Sequence, residues 1–232
     1  MESFLHKKAL VIYWLVLLLS VLFLYFIPRY TVLTEPLLVP LLLLHLFLRD
    51  NNIGKPFGKL VFFIGLFLAF LGDVLQVVIN NEVFFISSLV AFMLMNTCYG
   101  ISFYSLNKKV FRKPWPFLSS CLVMTVIAYW FINFLGDENL GDYKMPLVLY
   151  IFTLCLMASL AVNVMNSERY KKIAVNWLIP GAVIFVLQNM LLATNLFRFG
   201  GDSKLYIFSV IPYGIAQYLI MKGMQKAYGN IE

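Results

Sequence analysis

A single acidic residue lies deep inside a long apolar stretch, and it is the first candidate for chemistry. Asp73 falls within the run 58–79, about 15 residues from its start, which is roughly 22 Å along a helix. A charged side chain that deep in a bilayer costs at least about 2.5 kcal/mol on insertion scales, so it has to face protein or water. We therefore expect Asp73 to point into a protein interior and to have a functional role. The alternative is a hydrogen-bonding contact that holds helices together.

The residues around Asp73 support an inward-facing position. One face of the helix is small and polar, and it carries Gly65, Ala69, Gly72, Asp73 and Gln76. The rest of the helix surface is Phe, Leu and Val. The spacing therefore predicts that this face packs against other helices while the remaining surface contacts lipid.

Further polar side chains occur in other apolar stretches of the chain. They are Asn96, Tyr99, Tyr150, Gln188, Asn189, Tyr213 and Gln217. If they converge with Asp73, they form a polar pocket in apolar surroundings, which suits the head or linkage region of a lipid-like molecule. Taken singly, each is better explained as a residue that packs helices together.

The stretches that carry these residues are membrane-spanning helices by composition and length. Of the 232 residues, 62% are hydrophobic and 12% charged, whereas soluble domains have about 45–50% and about 25%. A water-soluble globule is therefore excluded. Since about 20 apolar residues cross the hydrocarbon layer as a helix, we predict eight spans, approximately at 8–27, 32–48, 58–79, 83–106, 115–135, 146–166, 176–197 and 205–224. The predicted fold class is an all-α polytopic membrane protein, with a single integral membrane domain over 1–232.

The second span opens on Thr34-Glu35-Pro36. Proline is well suited to the first positions of a helix, and an acidic residue is stabilised at the positive end of the helix dipole. The pattern predicts a helix start in which Glu35 has a capping role.

The basic residues are distributed unequally between the two sides of the predicted bundle. Fourteen of the 18 Lys and Arg residues fall on the side that holds both termini, and the other four are Arg29, Lys144, Arg198 and Lys204. Basic loops remain cytoplasmic, so we expect both termini to be cytoplasmic, in a bacterial inner (plasma) membrane. The net charge of +7 is then a signal of topology, and we expect membrane lipid and no nucleic acid as a partner.

Two segments of the sequence are similar at a fixed distance. Residues 65–75 align without a gap with residues 181–191, an offset of 116, or half the chain. Because four spans separate them, the two halves, 1–114 and 115–232, would be parallel repeats around a central polar pocket. The alternative is chance similarity between two apolar helices.

The sequence gives no sign of a metal centre or a cofactor. His6 and His45 are its only histidines, and Cys98, Cys121 and Cys155 have neither a CxxC spacing nor a neighbouring His. No phosphate-binding loop or HExxH spacing occurs either. We expect no metal and no cofactor.

In the order and spacing of its residues, the chain resembles the YhhN family, eight-helix membrane proteins that include lysoplasmalogenases. The resemblance covers nearly the whole chain. It rests on Glu35-Pro36-Leu37, Leu71-Gly72-Asp73-Val74-Leu75, Ala91-Phe92 with Tyr99, Pro146, Tyr150, Met157, Ala161, Gly181-Ala182, Phe185, Leu191-Leu192-Ala193, Tyr213, Ala216-Gln217 and Leu219-Ile220.

The resemblance implies a hydrolase that cleaves the vinyl ether bond of a lysoplasmalogen, a lysophospholipid-like substrate, to a fatty aldehyde and a glycerophospho-headgroup. Vinyl ethers hydrolyse by protonation on carbon, and water captures the resulting oxocarbenium ion. A carboxyl group that keeps its proton in apolar surroundings suits the first step. The resemblance makes Asp73 the acid and places the second catalytic residue at Asn189. It also implies that Glu35, Asn96, Tyr99, Tyr150, Gln188, Tyr213 and Gln217 bind substrate.

The chain departs from the family pattern at three places. Gln188-Asn189 stands where the family has a Ser-Asp pair, Glu35 where it has Lys, and Asn96 where it has His. An amide cannot act as a general base. Glu35 supplies a second carboxylate only if the start of the second helix folds over the pocket. The departures leave open a family member that binds or moves a lipid or small solute without catalysis, and a proton-coupled transporter built on the repeats and Asp73.

Overall fold

Eight long apolar helices make up the structure, a computed structural model that describes residues 2–49, 56–77, 81–108 and 113–229. They are α1 (Glu2–Phe26), α2 (Leu38–Arg49), α3 (Phe57–Gln76), α4 (Glu82–Leu106), α5 (Trp115–Leu135), α6 (Lys144–Asn163), α7 (Ile179–Arg198) and α8 (Ser203–Gly229). With the short turns that precede some of them, all eight are long and apolar enough to cross a membrane. The described residues form no strand, and the predicted eight-helix membrane fold is confirmed.

The second span differs from the uniform helix expected at 32–48. It begins with the tight 3-10 turn Pro28–Tyr30, continues through the single helical turn Thr31–Thr34 and the 3-10 turn Glu35–Leu37, and only then becomes α2. Proline stands at the start of both 3-10 turns, where its missing N–H costs no hydrogen bond. The tighter winding changes the direction in which residues 28–37 present their side chains.

Other helix ends also differ from the expected limits. The seventh span starts with Lys171–Ile173 and a wide π-helical turn, Ala174–Leu178, before α7. A proline near the start of α7 lacks the N–H that would continue a regular ladder. The acidic loop is helical as well, over Asp137–Leu140 and Gly141–Tyr143. Residues 78 and 79, expected at the end of the third span, lie outside the described residues.

Helix packing places the protein interior between α3, α4, α7 and α8. α3 packs chiefly on α4, α7 on α8, and α4 also on α6, while α1 covers α2 and α8. Glycine allows the two closest pairs to approach, since a Cβ on Gly65 would lie 2.8 Å from the Tyr99 ring and one on Gly181 2.9 Å from Ile220. Large apolar side chains such as Phe67, Leu122 and Phe152 face outward, as a lipid-facing surface requires.

The two aligned segments occupy comparable places in the bundle. Gly65 lies where α3 meets the next helix, and Gly181 lies where α7 meets the next helix. The similarity is limited to one helix–helix contact in each half of the chain. The division into halves 1–114 and 115–232 stays a prediction.

Candidate functional site

α3 holds Asp73 inside the bundle. The side chain is only 6% exposed, on the same buried face as Gly65, Ala69 and Gly72. A Cβ on Gly72 would lie 2.7 Å from the Phe92 ring, so glycine lets this aromatic ring from α4 pack directly beside Asp73. The carboxyl group therefore lies among protein side chains and has no contact with the lipid-facing surface.

α8 supplies the hydrogen-bond partner of Asp73. The Tyr213 hydroxyl lies 2.8 Å from each Asp73 carboxyl oxygen and donates to them. The next residue, Gly214, accepts a 2.6 Å hydrogen bond at its carbonyl from the buried hydroxyl of Tyr13. α1 thus fixes the part of α8 that presents Tyr213, and the position of Asp73 depends on three helices.

The start of the second span does fold over the pocket. The Tyr206 hydroxyl donates a 2.6 Å hydrogen bond to Glu35 Oε1, and Gln76 Nε2 donates to Tyr206 at 3.2 Å. No side-chain hydrogen bond caps this helix start. Glu35 nevertheless lies in the first turn, as expected for an acidic residue at the positive end of the helix dipole, and its carboxylate also reaches the Tyr206 hydroxyl of α8.

Asn189 is engaged in two hydrogen bonds. Tyr150 donates to Asn189 Oδ1 at 2.5 Å, and Asn189 Nδ2 donates to the Phe185 carbonyl at 2.7 Å. Both ends of the amide are thus occupied by the protein. A carboxylate could not reproduce this arrangement, since it has no donor for the Phe185 carbonyl.

These groups surround a small polar pocket of about 20 Å³. Its described lining consists of Glu35, Asp73, Gln76, Phe92, Tyr150, Phe185, Gln188, Asn189, Leu192, Tyr206 and Tyr213. A volume of this size holds about one water molecule. Gln188 is 5% exposed, and among the described residues its Oε1 has no hydrogen-bond partner. Because buried polar atoms are nearly always paired, this oxygen is available to accept a hydrogen bond from a molecule in the pocket.

A larger vestibule of about 430 Å³ lies beside the pocket and shares Glu35, Asp73, Gln76 and Tyr206 with it. Its outer wall is the α7–α8 turn, where Gly200 and Gly201 have φ of 66° and 79°. These values favour glycine. The vestibule is at the end of the bundle opposite the α1 start, which is the side expected to be non-cytoplasmic.

The α7–α8 turn is held by its own polar groups. Asn195 Nδ2 donates to the Asp202 carbonyl at 3.1 Å, and Asp202 Oδ1 accepts from the backbone N–H groups of Lys204 and Leu205. The acceptor carboxylate caps the start of α8. This cap fixes the first turn of the helix that carries Tyr206.

Three residues expected in the pocket lie outside its described lining. The Tyr99 hydroxyl of α4 donates to Gln217 Oε1 of α8 at 2.8 Å, away from the pocket lining. Asn96 is fully buried beside Tyr150. Asp73, Glu35, Tyr150, Gln188, Asn189 and Tyr213 are brought together, whereas Asn96, Tyr99 and Gln217 are not.

Tyr206 is a pocket residue that the sequence reasoning missed. Its spacing in the sequence from Tyr213 could have indicated it. Seven residues are about two helical turns and place both phenols on one face of α8. The early position of Tyr206 in the helix made it resemble an interfacial aromatic residue.

The charges around the two cavities are acidic. Glu35 and Asp73 line both, and the described lining residues include no Lys or Arg. The site therefore favours neutral or cationic groups close to the carboxylates. In the described part of the chain, no group of three or more His, Cys, Asp or Glu side chains is placed to hold a metal ion.

Comparison with known proteins gives one family. No curated protein and no solved structure is similar enough to count as a match. The sequence profile of the YhhN family matches residues 30–224, which takes in α2 to α7, most of α8 and every residue that lines the polar pocket. The chain therefore belongs to the YhhN family.

Proposed function

We propose that the protein is a membrane-embedded hydrolase of the lysoplasmalogenase type. It would cleave the vinyl ether bond of a lysoplasmalogen to a fatty aldehyde and a glycerophospho-headgroup. The observation that carries the proposal is that two carboxyl groups, Asp73 and Glu35, line one water-sized polar pocket. Paired carboxyl groups in unlike surroundings are suited to separate acid and base roles.

In the first step, Asp73 gives its proton to the vinyl carbon farther from the ether oxygen. The carbon–carbon double bond supplies the electron pair for the new C–H bond, and an oxocarbenium ion forms at the carbon bonded to oxygen. General acid catalysis of this kind contributes about 10²- to 10⁴-fold in rate. The negatively charged carboxylate that remains stabilises the cation.

In the second step, one water molecule adds to the oxocarbenium carbon while Glu35 takes a proton from it. The hemiacetal formed then breaks its bond to the glycerol oxygen, and its hydroxyl proton moves to that oxygen. The products are the aldehyde and the free glycerol hydroxyl, so one water is consumed. The proton held by Glu35 returns to Asp73 before the next cycle.

Different hydrogen bonds hold the two carboxyl groups of the pocket in place. Tyr213 holds Asp73, and Tyr206 with Gln76 holds Glu35. The free Gln188 oxygen is available to orient the attacking water. Asn189 has no role as a base in this scheme, because both ends of its amide are bonded to the protein.

A second candidate is a family member that binds or moves a lipid or small solute without catalysis. The observation that favours it is the engaged Asn189 amide at the position where the family has a carboxylate. In this case the pocket and vestibule bind a ligand, and no bond is broken.

Aldehyde release from a defined lysoplasmalogen tests the proposal with the purified protein in nanodiscs. We expect release by the wild type and a loss of about 10²-fold or more for both Asp73→Asn and Glu35→Gln, since each substitution keeps the size and the hydrogen-bond acceptor. The control is Asp137→Asn, at a largely exposed carboxylate that pairs with Lys144. Release by Asp73→Asn at the wild-type rate would refute the mechanism, and ligand binding without release would favour the second candidate.

A further inference from the structure

An apolar cavity of about 40 Å³ lies between α5, α6 and α7, next to the polar pocket. Its walls are hydrocarbon, with Met124, Ala128 and Phe131 from α5, Leu147 and Leu154 from α6, and Met190 from α7. Among the described lining residues, the polar side chains are Tyr150, Asn189 and Cys155. A cavity with these walls excludes charged or strongly hydrated ligands.

Tyr150 and Asn189 line this cavity and the polar pocket alike. Their mutual hydrogen bond of 2.5 Å therefore forms the wall between the two spaces. One phenol and one amide separate an apolar compartment from the two carboxyl groups. Parting these two side chains would join the compartments.

The outer wall of the apolar cavity is the least enclosed helix of the bundle. Of the α5 residues, only Phe131 and Leu135 are buried. α5 packs mainly on α6 and only weakly on α7. A displacement of α5 would therefore disturb few buried side chains, and α5 is the wall through which a hydrocarbon chain from the bilayer would enter.

Three compartments thus follow one another: the polar vestibule at one end of the bundle, the pocket with Asp73 and Glu35, and the apolar cavity toward the bilayer. A single-chain lysolipid has the same order of parts, with a polar head, an ether linkage and a hydrocarbon chain. If the parts of the lipid lie in the compartments of matching polarity, the head lies in the vestibule and the hydrocarbon chain in the apolar cavity.

We propose that the cavity between α5, α6 and α7 binds the hydrocarbon chain of the substrate, with Tyr150 and Asn189 parting to admit it. The inference rests on the proposed function, because it takes an ether-linked lysolipid as the ligand. The cavity has room for about three water-sized groups. It therefore holds the first few carbons after the ether linkage, and the rest of the chain extends along α5 into the bilayer.

The test is photo-crosslinking with an alkyl ether lysophospholipid that carries a diazirine on one of the first chain carbons. This probe has no double bond to protonate, so its labelling is independent of turnover. We expect saturable labelling of α5, α6 and α7 in wild-type protein. Labelling confined to the vestibule residues Leu24, Val32 and Leu196, or unsaturable labelling of all lipid-facing helices, would overturn the inference.

Matched variants on α5 sharpen the experiment. Ala128→Trp fills the cavity and should weaken saturable labelling roughly tenfold through steric overlap with the chain, and Met124→Trp is a second variant of the same kind. Val126→Trp is the control, because Val126 is 60% exposed on the same helix and does not line the cavity. Equal labelling of folded Ala128→Trp and Val126→Trp would count against the chain site.

The result is distinguishable from a failure of the proposed function. Labelling at α5, α6 and α7 by a protein that releases no aldehyde from a lysoplasmalogen would support the chain site and reject the hydrolase. Aldehyde release by a protein that is labelled only in the vestibule would support the hydrolase and reject the chain site.

Discussion

Asp73 and Asn189 occupy aligned positions, yet their surroundings differ. Each accepts a hydrogen bond from a tyrosine, Tyr213 for Asp73 and Tyr150 for Asn189. Asn189 also donates to the backbone of its own helix, whereas Asp73 lines a vestibule that it shares with Glu35. The second carboxylate of the pocket therefore comes from a different part of the chain than the aligned position.

Replacing Asn189 with Asp should destabilise the protein and should not raise its activity. The new carboxylate still accepts from Tyr150, but it places an oxygen against the Phe185 carbonyl at the 2.7 Å distance of the lost hydrogen bond. Because this hydrogen bond is part-buried, its loss costs about 1 kcal/mol. We expect a lower melting temperature in detergent and no gain in aldehyde release.

Asn133→Asp is the matched control for this change. Asn133 makes the same bond to the carbonyl four residues earlier, also at 2.7 Å, but on an exposed surface. Its replacement should leave the melting temperature nearly unchanged. Asn189→Asp protein with an unaltered melting temperature and faster aldehyde release would show that Asn189 is a weakened catalytic position.

At the scale of elements, α8 is the helix on which the site depends most. It carries Tyr206 and Tyr213, and Pro212 lies inside it. Proline removes one backbone hydrogen bond from the helix, so the segment beside Tyr213 is stabilised by its neighbours. α1 provides that support through the Tyr13 hydroxyl on the Gly214 carbonyl.

Gly214→Ala should weaken this contact and lower activity. A Cβ at this position would lie 2.7 Å from the methyl groups of the Leu17 side chain of α1, so Leu17 has to move, and α1 shifts relative to α8 as far as the buried Leu17 side chain cannot give way. Overpacking of this kind costs about 1 to 3 kcal/mol, and the shift moves Tyr213 away from Asp73. We expect a lower melting temperature together with reduced aldehyde release.

Gly229→Ala tests whether that effect is specific to the α1 contact. Gly229 is on the same helix, and a Cβ there meets nothing within 4 Å among the described residues. We expect wild-type stability and activity for this variant. If Gly214→Ala is as stable and active as Gly229→Ala, α1 does not position the site.

At the scale of the whole molecule, the two ends of the bundle differ in chemistry. The vestibule and both carboxyl groups lie toward the end where α1 and α3 finish, with the acidic segment Asp137–Leu140. The opposite end holds a cavity lined by Lys108, Lys113 and Arg169. If basic loops remain cytoplasmic, the site opens on the non-cytoplasmic side.

Cysteine labelling in intact bacterial cells tests this orientation. In a background in which Cys98, Cys121 and Cys155 are replaced, Glu138→Cys and Glu168→Cys place a thiol at exposed sites on opposite ends of the bundle. We expect an impermeant maleimide to label Glu138→Cys in intact cells and Glu168→Cys only after lysis. The reverse pattern would place both termini and the basic loops outside.

Residue order alone determined the membrane fold and the inward position of Asp73. Eight apolar runs predict eight spanning helices because a bilayer leaves backbone groups no partner outside a helix. Asp73 is conspicuous in the sequence because charge is costly in lipid. The helical period also placed Asp73 on the inward face.

Tertiary structure decided which polar residues meet. Tyr99 and Gln217 are polar residues in apolar helices, as Tyr150 and Gln188 are. Helix packing pairs Tyr99 with Gln217, whereas it places Tyr150 and Gln188 in the lining of the pocket. The position of Glu35 depends on 3-10 turns and on Tyr206, 171 residues away in the chain. Contacts between helices that are distant in the chain depend on how the side chains of both helices fit together. The periodicity of one helix says which face is buried but not which helix it meets.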